Sequence, residues 1–69
     1  MAHVVCVGND GYRASLEPRK IYVALSDSRA HRLGLVRVID ESGEDYLYPK
    51  RLFAEVIVSR SAARALGIA

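Results

Sequence analysis

The chain has 69 residues, 51% of them hydrophobic and 26% charged, with a formal net charge of +2 and a pI near 9.0. That size excludes a second domain, and that composition excludes a disordered or low-complexity chain. A single cysteine, Cys6, excludes an intrachain disulfide framework. No apolar run approaches the length of a membrane span, and residues 3–8 are too short for the apolar core of a signal peptide. The cytoplasm is therefore the expected compartment, with no membrane contact.

In chain order, residues 3–7 are apolar and rich in valine, which predicts a short buried strand. Gly8, Asn9, Asp10 and Gly11 form a cluster of turn residues. Residues 12–15 read as loop. Pro18 marks the entry to a second strand over residues 20–25, in which Ile21, Val23 and Leu25 share one face. Asp27 then offers a carboxylate to cap one or two turns of helix, with Ala30 and Leu33 on one side and Gly34 as the stop.

Residues 35–39 predict the third strand. Asp40 and Gly43 suit the first and last positions of a type I turn. With Gly43 supplying the bulge of a three-residue loop, the fourth strand over residues 45–48 returns so that Val38 faces Tyr46 and Val36 faces Tyr48. Pro49 ends it, because proline has no N–H for the ladder. Residues 49–52 fit one tight turn, and residues 53–58 a fifth strand. Ser59 or Ser61 caps a short C-terminal helix that runs to Leu66 and stops at Gly67. It is too short to be stable unless it docks.

Five short strands, a tight hairpin and a proline-led turn before the last strand resemble an SH3-like barrel, best over residues 35–58. The hairpin tip at Ser42 and Gly43 looks like that fold's distal hairpin, and residues 49–52 look like the helical turn before its final strand. The run at residues 37–49, RVIDESGEDYLYP, is also similar to one in short bacterial proteins of unassigned function. The resemblance implies a bacterial source and a conserved fold, and no activity. The expected fold is therefore mainly β: a small five-stranded SH3-like barrel with a short helical turn and a short C-terminal helix. Residues 1–58 form the barrel and residues 59–69 a helical segment or tail. Peptide-binding members of that class ring a groove with aromatics. This chain has no tryptophan, and Leu52 stands where such members carry a ligand-contacting tyrosine.

No catalytic set is evident, so the expectation is a non-enzymatic module for protein interaction or assembly, without cofactor or metal. Asp40, Glu41, Glu44 and Asp45 crowd one hairpin tip, but their spacing lacks the alternating ligands of a Ca²⁺ loop. They read as a solvated turn that discourages edge pairing. Cys6 and His3 lie three apart on a strand and so face opposite ways, which argues against a shared metal or a Cys–His pair. The candidate partner-binding residues are Tyr22, Tyr46, Tyr48 and Leu52. Tyrosines bury area at low entropy cost at interfaces, although covering a thin core would use them equally well.

The alternative is a nucleic-acid-binding barrel. Eight of the ten cations are Arg, which suits bidentate phosphate contacts. Arg29, Arg32 and Arg37 form the cluster named for that role. Arg13, Arg19 and Lys20 form another, and Lys50 with Arg51 a third. Phosphate binding would need them on one face. The expected assembly state is a monomer or a weak homodimer, with an unidentified protein as partner and nucleic acid as the second option.

Overall fold

A computed structural model describes residues 2–68; Met1 and Ala69, the outer ends of the two predicted segments, lie outside the described residues. Five strands, β1 Ala2–Cys6, β2 Ile21–Leu25, β3 Leu35–Ile39, β4 Asp45–Pro49 and β5 Phe53–Val56, form one antiparallel sheet in the order β4-β3-β2-β1-β5. Helix α1 spans Ser28–Arg32, a 3-10 turn spans Lys50–Leu52, and helix α2 spans Arg60–Ala65. The mainly β architecture is as expected. The sheet is open: β4 and β5 lie at its two edges and do not pair with each other among the described residues.

Local chemistry explains most of these elements. Asp27 accepts the Ala30 N–H at 3.0 Å and caps α1. Gly34 stops the helix with φ of 74°. The Gly43 N–H donates to the Asp40 carbonyl at 3.0 Å, and Gly43 takes φ of 84°, the bulge geometry expected of a three-residue hairpin loop. The register follows from it, Val38 opposite Tyr46 and Val36 opposite Tyr48. Pro49 is the last residue of β4, opposite Leu35. Ser59 caps α2 through the Ala62 N–H at 3.1 Å, and Gly67 follows its end with φ of 72°.

The core lies on one face of the sheet. Val4 and Cys6 of β1, Tyr22 and Ala24 of β2, Val38 of β3 and Tyr48 of β4 point into it, together with Leu52 from the 3-10 turn and Leu16 from the long β1–β2 connection. In β2 the inward positions are thus Tyr22 and Ala24. The aliphatic row of Ile21, Val23 and Leu25 faces the other way and is half-buried. Leu16, Val38 and Cys6 are the largest fully buried side chains. Each large apolar side chain removed from water contributes about 1.5–3 kcal/mol. Leu16 therefore makes the segment after β1 a lid on the core, where the sequence suggests only loop and strand entry.

Tyr12, in that same segment, packs edge-on against Tyr48 with ring centroids 5.1 Å apart. Phe53 meets both Tyr22 and Tyr48 in the same edge-to-face manner, at 6.4 and 6.2 Å. Such pairs add about 0.5–1.5 kcal/mol beyond the area they bury. An aromatic group thus joins the aliphatic core of Val4, Leu16, Val38 and Leu52. The C-terminal segment docks as its short length requires: Ala63 of α2 is buried, and the His3 ring donates from Nε2 to the Ile68 carbonyl at 3.2 Å.

Candidate functional site

The four residues expected to face a partner separate. Tyr22, Tyr48 and Leu52 are 4%, 3% and 3% exposed and belong to the core. Only Tyr46 stands out, at 49%. Burial alone does not decide where a tyrosine goes, since its hydroxyl needs a partner wherever it is. Here the hairpin supplies both partners. Tyr48 donates to Asp40 and Tyr22 donates to Glu41, while the Tyr22 oxygen accepts the Glu17 N–H at 2.8 Å.

The acidic tip is correspondingly less solvated than its sequence suggests. Asp40 is buried and also accepts from the Ser42 N–H at 2.8 Å and from the Ser42 hydroxyl. Glu41 pairs with Lys20 at 2.7 Å. Burial alone raises the Asp40 carboxyl, but hydrogen bonds from Ser42 and Tyr48 outweigh it and hold the group below its ordinary value. Lys20 and then Tyr22 lower Glu41. Burial, reinforced by the carboxylate that each faces, pushes the Tyr22 and Tyr48 hydroxyls up. Glu41, Glu44 and Asp45 remain at the surface of the tip, Glu41 engaged there by Lys20 and Tyr22. Glu44 accepts from the Tyr46 hydroxyl at 3.0 Å.

The cations divide in a similar way. Arg37 bridges two carboxylates, Asp27 at 2.9 Å through Nε and Asp45 at 3.0 Å through Nη1. Its role is to tie α1 to the hairpin, so of the expected phosphate-binding cluster it is the member already engaged. Arg29 and Arg32 are exposed on α1 and form no ion pair among the described residues. The 3-10 turn lies beside that helix: the Lys50 N–H donates to the Gly34 carbonyl at 3.0 Å, and Lys50 Nζ reaches His31 Nδ1 at 3.3 Å. The two elements that carry Arg29 with Arg32 and Lys50 with Arg51 are thus neighbours.

Next to them is a groove of about 720 Å³. Its floor is Val4, Ala24, Val36 and Phe53. One wall is α1 and the 3-10 turn, carrying Asp27, His31 and Lys50. The opposite wall is β5, with Ala54 and Glu55. β5 pairs with β1 on one side only, so its other edge is unpaired among the described residues. No sequence motif marks this groove, because its floor and walls come from four strands, α1 and the 3-10 turn, distant along the chain. The only local hint is the small side chain at Ala24 in an otherwise bulky strand.

Among the described residues no group of three or more His, Cys, Asp or Glu side chains is placed to hold a metal ion. Cys6 is buried and donates its thiol to the Gly8 carbonyl at 3.1 Å, on the opposite side of β1 from His3. Among the described residues no helix is long and apolar enough to cross a membrane. Comparison with protein-family models, curated proteins and solved structures finds no match to this chain.

Proposed function

We propose that the protein is a small non-enzymatic binding module of the cytoplasm, and that it holds an extended segment of a protein partner in the groove between α1 and β5. The supporting observation is the groove itself: an apolar floor with charged walls beside an unpaired strand edge. Ligand sites are concave and mainly apolar with a few polar groups for orientation. A strand edge can add main-chain hydrogen bonds to an extended chain. The linear strand order and the 3-10 turn between β4 and β5 support reading the architecture as an open-sided SH3-like barrel.

The test is affinity capture from the native cell with the full chain and with Glu55→Trp, at an exposed groove-lining position on the same face as Val4. A partner held by the wild-type chain and by Tyr46→Ala, but lost by Glu55→Trp, supports the reading. A partner indifferent to Glu55→Trp rejects it.

One observation favours a second reading, nucleic-acid binding. Arg29, Arg32, Lys50 and Arg51 lie on two adjacent elements and form no ion pair with a carboxylate among the described residues. A phosphate binder must weaken steeply as salt rises. Titration with single- and double-stranded oligonucleotides at two salt concentrations decides it, since flat or absent binding rejects that reading.

A further inference from the structure

We infer that the segment accepted by the groove is acidic on one side of an apolar anchor, a specificity that rests on the groove being the partner site. The groove is chemically polarised. At one wall stand His31 and Lys50, with Arg29, Arg32 and Arg51 exposed on the same two elements, α1 and the 3-10 turn. At the other wall stands Glu55 alone, exposed and without an ion-pair partner among the described residues. The Asp27 carboxylate on the first wall is paired with Arg37, which it shares with Asp45. The uncompensated charge around the groove is therefore positive on the α1 side and negative on the β5 side.

The floor decides what sits between the charges. Val4, Ala24 and Val36 are aliphatic or small, and Phe53 is partly buried against the core. That surface receives a branched apolar side chain. It lacks the row of exposed aromatic rings on which successive bases of a single strand stack. A phosphodiester chain lying in the groove would also pass Glu55 along its length, where each phosphate is repelled. A peptide carries charge only where a side chain supplies it, so it can set an Asp or Glu over Lys50 and leave the Glu55 wall to a neutral or basic residue. Complementarity of this kind sets orientation and partner choice more than raw affinity. The unpaired edge of β5, four residues long, fixes the segment as extended.

Selection of a random octapeptide display library on the full-length chain tests this. The expected result is enrichment of sequences in which Asp or Glu lies within three positions of a branched apolar residue. A synthetic peptide of that kind should lose about tenfold in affinity when its acidic residues become Lys. It should lose a similar factor against Lys50→Glu, and separately against His31→Glu, two exposed groove-lining positions whose change leaves the core intact. Enriched peptides with no acidic preference, or with affinity indifferent to both variants, overturn the polarity while leaving the groove as the site. No enrichment at all, or enrichment unaffected by Glu55→Trp, removes the groove reading and this inference with it. An oligothymidylate that displaces the selected peptide and binds more tightly would also overturn it, in favour of a nucleic-acid partner.

Discussion

The Tyr48 hydroxyl donates to the Asp40 carboxylate from inside the core, so the base of the β3–β4 hairpin is fastened by a buried tyrosine–carboxylate bond. A second bond of the same chemistry, Tyr22 to Glu41, fastens the next residue of the turn to β2. Removing the first with Tyr48→Phe should cost about 1.5–3 kcal/mol, the range for a hydrogen bond to a charged group. Urea denaturation checks it. A double-mutant cycle with Asp40→Asn should return a coupling of about 1 kcal/mol or more, because the two side chains touch.

The same bonds set the pH dependence. Asp40 and Glu41 have lowered values in the folded chain, so their stabilisation is present above their unfolded values near pH 4 and is lost as pH falls through the folded ones. Tyr22 and Tyr48 have raised values. The unfolded chain releases those protons first, so stability falls as pH rises above about 10. The expected profile is a plateau between about pH 5 and 9 with losses on both sides. In Tyr22→Phe/Tyr48→Phe, the alkaline loss should shrink, as read by thermal melting across pH.

Backbone strain gives a prediction of opposite sign. Arg19 takes φ of 70°, the left-handed region, in the turn after Pro18. Arg19→Gly should stabilise by about 0.5–1 kcal/mol, since glycine takes that conformation without a Cβ penalty. Gly43→Ala should cost about 1 kcal/mol for the converse reason, because space is open around its missing Cβ and only the backbone can object. Chemical denaturation of the two variants should move the midpoint in opposite directions.

Leu16 is 1% exposed although it lies outside any strand or helix. Leu16→Ala should cost about 2–5 kcal/mol, comparable to the whole stability of so small a domain, about 3–5 kcal/mol. The expected outcome is a chain largely unfolded at 25 °C by circular dichroism, which a Tyr46→Ala control is not.

Short-range chemistry made the β3–β4 hairpin legible. Asp40 and Gly43 dictate the turn, and the turn dictates that Val36 meets Tyr48. The caps Asp27 and Ser59 were legible for the same reason. What the sequence hides is long-range. Glu41 finds Tyr22 and Lys20, 19 and 21 residues away, so a turn that reads as solvated instead serves the core. Period-two patterning in β2 shows an apolar row at Ile21, Val23 and Leu25, yet the core takes the Tyr22 face because the tyrosine hydroxyl has a carboxylate waiting there. The groove was not legible at all, since Lys50 and His31 are brought together only by the folded positions of α1 and the 3-10 turn.

The most direct test of the groove as the partner surface is amide chemical-shift mapping of the full chain during titration with a library-selected acidic octapeptide. The expected result is progressive shifts at Ala24, Asp27, His31, Val36, Phe53 and Glu55, with the hairpin residues Tyr46 and Leu47 unmoved. Shifts confined to Tyr46, Leu47 and their neighbours, or none at saturating peptide, would contradict it.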